Sequence, residues 1–192
     1  MVAAILAAGS GERRRDRITL ALWHLAGLEL GAVALALAVS VVAVVLPLPQ
    51  TVLGVAIAAA ALVWGGAALL GRPLRLGSSS AQVPRWWQYT LTPRQFAFSY
   101  GVGLGIGFLT RILTISFYVL LALFLLAGNP IGAIVAASAY GFARGVPVLL
   151  AAADGSTAEE ISEKTEHLRS IALRADSVVL VAIGVGVLFT TT

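Results

Sequence analysis

Residues 96–128 read FAFSYGVGLGIGFLTRILTISFYVLLALFLLAG. This is long enough to cross a membrane, because about 20 apolar residues in helical form span the hydrocarbon of a bilayer. The first half carries Gly101, Gly103, Gly105 and Gly107, and a single charge, Arg111, follows directly after Thr110. Glycine lets helices approach closely but weakens a helix interior. The pairs Gly101/Gly105 and Gly103/Gly107 are two overlapping GxxxG patterns, which predict close helix packing. A charge at bilayer depth costs at least about 2.5–3.5 kcal/mol, so Arg111 is expected to have a partner or a task. The glycines before it and the β-branched residues around it predict a break or wide kink near Thr110-Arg111.

The rest of the chain agrees with a membrane setting. Of 192 residues, 59% are apolar and 11% charged, against roughly 45–50% and about 25% in soluble domains. Mean hydropathy is +0.94. Apolar runs predict about five spans over 18–46, 51–70, 96–127, 131–153 and 177–189, in a single transmembrane domain covering 1–192. Charged loops at 9–17, 71–95 and 154–174 separate them, with uncharged turns at 47–50 and 128–130. Simple alternation puts all three charged loops on one side, and the positive-inside rule makes that side cytoplasmic. The expectation is therefore an all-α, polytopic, multi-pass plasma-membrane protein with its N-terminus inside. No cleavable signal peptide is expected, since residues 2–8 are too short and the arginines follow them. Within the loop 71–95, Trp86, Trp87 and Tyr89 suit the aromatic belt at the headgroups. In 154–174, Ser156 and Thr157 precede Glu159 and Glu160, which predicts a helix start.

Several function classes drop out. With no Cys there is no disulfide, thiol redox chemistry or thiolate metal site. His24 and His167 are far apart in sequence and no metal-ligand cluster or Ser-His-Asp set is present, so no catalytic residue, metal or cofactor is expected. The formal charge of +4 comes from arginines at helix ends, which set orientation and give no reason to expect nucleic acid. ILAAGSGERR, at 5–14, looks like the phosphate-binding turn of sugar-nucleotide nucleotidyltransferases, but that chemistry needs an α/β domain behind it, and a membrane helix begins instead.

The groups left to carry a function are the ionisable residues inside spans: Glu29, Arg111 and Arg144. Glu29 lies eleven residues beyond Ile18 and Arg144 ten before Asp154, so both sit at similar depth and a Glu29–Arg144 pair is expected. Arg111 is deeper, with Thr110 beside it, and these charges are expected to form either a structural ion-pair cluster that holds the helices together or an anion or proton site at Arg111. His24 reads as an interfacial helix residue. Pro147 is expected to kink its helix.

Three segments resemble one family: ILAAGSGERRRDR at 5–17, YGVGLGIGFLTR at 100–111 and YGFARGVPVLL at 140–150. They are similar to the cytochrome c biogenesis transmembrane family, the membrane domain of thiol:disulfide interchange proteins, within the lysine-exporter-like superfamily. The resemblance implies a fold with a broken, Gly-rich helix and a transport-like role. Members normally have six spans and a Pro-Cys in the first; here only residues 1–8 stand for that helix, and without Cys thiol electron transfer is impossible for this chain alone. Two functions are therefore expected. One is a transporter-like protein that moves or binds a small anionic or polar solute, in the lipid bilayer and as a homo-oligomer. The other is a non-catalytic structural subunit among other membrane subunits of a larger complex.

Overall fold

The computed structural model describes residues 14–46, 49–72, 74, 86–107, 116–127, 129–154 and 158–191. Every described element is an α-helix: α1 (Arg14–Val45), α2 (Gln50–Leu69), α3 (Trp87–Thr90), α4 (Pro93–Ile106), α5 (Ser116–Ala127), α6 (Pro130–Asp154) and α7 (Ala158–Thr191). The readings that rest on residues 1–8, Thr110, Arg111, Ser156 and Thr157 lie outside the described residues.

α1 is apolar on all sides, as a membrane helix is. Leu20, Ala21, His24, Leu28, Ala32 and Ala36 are buried on one face, while Leu22, Trp23, Leu30, Leu37 and Val41 stand exposed on the other. Ser40, the buried hydroxyl of this helix, donates to the Ala36 carbonyl one turn back at 2.8 Å, so it needs no external partner.

Local chemistry fixes the helix ends. α4 starts on a capping box: Thr92 Oγ1 accepts from the Gln95 N–H, and Gln95 Oε1 accepts from the Thr92 N–H at 3.1 Å, with Pro93 in the first turn. It ends where Gly107 adopts φ +77°, a left-handed conformation that glycine takes without strain. α6 starts on Asn129, whose Oδ1 accepts from the N–H groups of Ile131 and Gly132, both at 3.1 Å. It then runs unbroken through Pro147 to Asp154.

Three helices among the described residues, α1, α2 and α6, are long and apolar enough to cross a membrane, against the five expected. Within 96–127 the described residues hold α4, which is 14 residues long and ends at Gly107, and α5 over 116–127, and neither by itself reaches the ~20 residues that cross hydrocarbon. Residues 108–115, with Thr110-Arg111, lie outside the described residues. The stretch expected at 177–189 is the end of the 34-residue α7, which also takes in the polar segment from Ala158.

Contacts gather into two compact units. The first is built from α1 up to Leu35, α3, α4 and α6 from Ile134. Its centre is a meeting of glycines. A Cβ placed on Gly101 would collide with the His24 carbonyl oxygen, and one on Gly105 with the Leu28 carbonyl oxygen. Reciprocally, a Cβ on Gly27 would strike the Phe98 carbonyl oxygen, and one on Gly31 the Val102 carbonyl oxygen. So Gly27-x-x-x-Gly31 of α1 and Gly101-x-x-x-Gly105 of α4 bring two backbones into direct contact. Residue numbers rise together across this contact, so α1 and α4 are parallel. α6 is antiparallel to α1: Gly141 faces Glu29 and Ala32, Gly145 faces Leu25 and Leu28, and Arg14 Nε donates to the Ala153 carbonyl at 2.9 Å. The described starts of α1 and α4 and the end of α6 thus lie together.

The second unit takes α1 from Ala36, α2, α5 and α7 from His167. Ile57, Ala61, Val119 and Leu180 form its buried core. α2 and α7 approach closely at Gly65, which faces Ser177, Leu180 and Val181, and at Gly184, which faces Ala58 and Leu62.

Alanine at Gly101 or Gly105 must push two backbones apart. Each is expected to cost about 1–3 kcal/mol, the range for overpacking, and to lower the unfolding midpoint in mild detergent. Gly66 and Gly186 face open space. Alanine there is expected to be neutral or to stabilise by about 0.5–1 kcal/mol, because it favours the helix. Equal losses at all four positions, in thermal unfolding followed by size exclusion, would refute the backbone contact.

Candidate polar site in the first unit

The glycine contact carries a polar side chain into the packed face. His24 is 2% exposed, because Gly101 lets the α4 backbone come to it. Its Nδ1 lies 3.3 Å from the Ala97 carbonyl oxygen. A carbonyl can only accept, so the proton sits on Nδ1. The ring stacks on Tyr100 with centroids 5.6 Å apart and planes at 28°, and Tyr100 stacks on Phe96 at 5.9 Å and 24°. Phe96 and Tyr100 are four residues apart on α4, so helix geometry alone aligns them. The Tyr100 hydroxyl is buried without a hydrogen-bond partner among the described residues.

α6 supplies the other half. Arg144 Nη1 donates to the Tyr140 hydroxyl at 2.9 Å, and the guanidinium carbon lies 5.9 Å from the Tyr140 ring centroid. This again is an i, i+4 pair. The same guanidinium is close enough to act electrostatically on both His24 and Tyr100. Glu29 reaches α6 where there is no side chain to meet it. A Cβ on Gly141 would lie 3.2 Å from Glu29 Oε1. That oxygen is buried and has no hydrogen-bond partner among the described residues.

The expected Glu29–Arg144 pair is therefore not formed in this state. Among the described residues no ion pair joins them, because Arg144 is drawn along its own helix to Tyr140. Gly141 and Arg144 are three residues apart, about 4.5 Å along the axis, so the two groups are neighbours without being partners. Arg111 and Thr110 lie outside the described residues. Gly101 and Gly105 take the packing role expected of them, Gly103 is buried, and Gly107 ends the helix.

His24, Tyr100 and Tyr140 join the site without having been expected in it. The sequence did carry a signal for His24. It shares a helical face with Gly27 and Gly31, three and seven residues on. Tyr140 stands four residues before Arg144 in YGFAR, the spacing of a helical pair. Tyr100 gave none, since its partner is 76 residues away. Among the described residues no group of three or more His, Cys, Asp or Glu is placed to hold a metal ion.

No protein family, curated protein or solved structure matches this chain.

Tyr100→Phe removes a buried hydroxyl that has no partner and keeps the ring. It is expected to raise stability by about 1 kcal/mol, the low end of the cost of an unsatisfied buried group. Gly141→Ala crowds only the tip of Glu29, so it is expected to cost less than Gly101→Ala. Combined with Glu29→Ala the cost should disappear, a coupling of about 0.5 kcal/mol or more in a double-mutant cycle. Strict additivity of the two would mean that Glu29 does not rest on Gly141.

Proposed function

We propose that this is an integral membrane protein with a transporter-like role, moving or binding a small anionic or polar solute through the first unit. One observation carries the reading: the Glu29 carboxyl is held at Gly141, one helical turn from Arg144, with a buried oxygen that has no partner. Ionisable groups at this depth are rare and costly, and they mark pathways for ions and polar solutes. Arg144 has a neutral partner, Tyr140, and an acidic neighbour, Glu29. Its guanidinium can leave the hydroxyl for the carboxylate or for an incoming anion, so two arrangements of one site are available within a side-chain movement. The stacked pair His24 and Tyr100 adds one ring nitrogen and one hydroxyl that the packing does not use. Arg111 and Thr110, just past the end of α4, are proposed as further solute contacts.

The finer topology belongs to the same proposal. α4 and α5 together form one broken span and the apolar end of α7 another. That gives five spans in a plasma membrane, with the N-terminus and the arginine-rich ends cytoplasmic. A glycine-rich helix that stops within the membrane supports the likeness to the lysine-exporter-like superfamily as regards fold. The protein is proposed to act as a homo-oligomer.

A second reading, a structural subunit of a larger complex, is favoured by the tightness of the α1–α4 contact. Direct backbone packing fixes these helices and leaves alternating access to other elements.

Reconstitution in proteoliposomes separates the two. Stopped-flow light scattering under gradients of potassium chloride, nitrate and acetate reports anion entry. Transport predicts swelling faster than in empty vesicles, lowered by about tenfold or more in Glu29→Gln and Arg144→Ala, the loss expected when a charge-assisted contact worth over 1.4 kcal/mol is removed. Wild-type rates equal to empty vesicles for all three salts, together with co-purification of unrelated chains, would overturn transport in favour of the subunit.

A further inference from the structure

At the starts of α1 and α4 there is an open cleft of about 540 Å³ lined by Arg15, Asp16, Thr19 and Arg94. Its size is within the range of ligand sites, about 300–1,000 Å³. We propose that it binds a phosphate-type anion between the guanidinium groups of Arg15 and Arg94, and that the anion is the headgroup of an acidic phospholipid.

The glycine contact is the reason for the site. Antiparallel neighbours set the positive end of one helix beside the negative end of the other. α1 and α4 are parallel, so their dipoles point the same way, and the positive end of α4, equivalent to about half an elementary charge, lies beside the first described turn of α1. Arg15 and Arg94 lie in the first described turns of these helices, with Asp16 next to Arg15 in α1 and no acid in the first turn of α4. Among the described residues that line the cleft, two guanidinium groups face one carboxylate, Asp16. The negative end of α6 reaches this end of the unit as well, but Arg14 already occupies its Ala153 carbonyl. An anion between Arg15 and Arg94 removes the remaining imbalance, and guanidinium groups match phosphate oxygens in geometry as well as charge. Thr19 is not a donor here, because its hydroxyl donates to the Arg15 carbonyl at 2.8 Å.

Depth argues for a lipid as the source. Trp87 packs against the cluster of Leu20, Phe96 and Tyr100 just inside the cleft, and exposed Trp86 sits edge-on to Trp87 at 6.2 Å. Tryptophan at a helix end marks the headgroup level of a bilayer, where phosphodiesters are. This inference stands apart from the transport reading, since it invokes neither Glu29 nor Arg144.

The test titrates the full chain in mild detergent with phosphatidylglycerol, phosphatidylcholine and inorganic phosphate, reading bound species by native mass spectrometry. Wild type is expected to retain phosphatidylglycerol about fivefold or more over phosphatidylcholine, with Arg15→Ala and Arg94→Ala each weakening it by about fivefold, the worth of one interfacial arginine. The double variant should lose the preference. Asp16→Asn, which removes the opposing charge, should tighten binding, and Thr19→Val should leave it unchanged. Arg15, Asp16 and Arg94 are exposed, so these changes leave the core intact. If inorganic phosphate binds, with the same loss in the arginine variants, and phosphatidylglycerol does not, the anion site stands and the lipid assignment falls. A preference that survives in the double variant, or weaker binding in Asp16→Asn, overturns the site itself.

Discussion

Two helix backbones touch at Gly27, Gly31, Gly101 and Gly105, and the first unit follows from that contact. Apolar side chains gain nothing from water-driven association when the surroundings are hydrocarbon, so close approach and van der Waals contact must hold the helices together. With no side chains between them, α1 and α4 can lie parallel at a separation that Leu or Val would prevent. That separation puts the His24 ring on Tyr100 and the imidazole N–H on the Ala97 carbonyl. It also leaves the adjoining side of α1 free to receive α6 at Gly141 and Gly145. One helix is thus packed from two sides through small residues, and its polar groups are carried inward with it.

The polar groups divide by how their needs are met. Ser40 turns back to its own helix and His24 finds a carbonyl, while Arg144 has a hydroxyl and a ring face. Each is a settled structural contact. Glu29 and Tyr100 hold buried oxygens that nothing among the described residues satisfies. A fold made for rigidity alone would gain by replacing them with apolar groups of the same shape. Their position near one guanidinium is what distinguishes this part of the unit from simple helix packing.

Much of this was legible in the sequence, and the misses have physical causes. Composition indicated an all-α chain with apolar spans, because no soluble core needs so few charges. The GxxxG pattern at 101–105 correctly announced close packing, but such a pattern names no partner. The matching Gly27 and Gly31 enclose Glu29, so this GxxxG is interrupted by a charge and lacks the apolar setting of the pattern at 101–105. A break was expected at Thr110-Arg111, where charge and β-branching are unfavourable. Those residues lie outside the described ones, and α4 ends before them at Gly107, because ending a helix in the left-handed region depends on the residue able to adopt it. The depth argument paired Glu29 with Arg144, yet depth cannot see that Tyr140, one turn back on the same helix, takes the Arg144 guanidinium.

The early stop at Gly107 also bears on how the chain enters the membrane. A helix of 14 residues is about 21 Å long, well under the thickness of hydrocarbon. Gly107, in the left-handed region, ends it there. Alone in a bilayer, α4 would be a poor candidate for insertion. Against α1 its backbone is shielded, and Gly107 itself is buried. α1 leaves the ribosome first and is long enough to insert unaided. It is therefore a template, and the membrane entry of α4 becomes a docking step whose timing is set by order of synthesis.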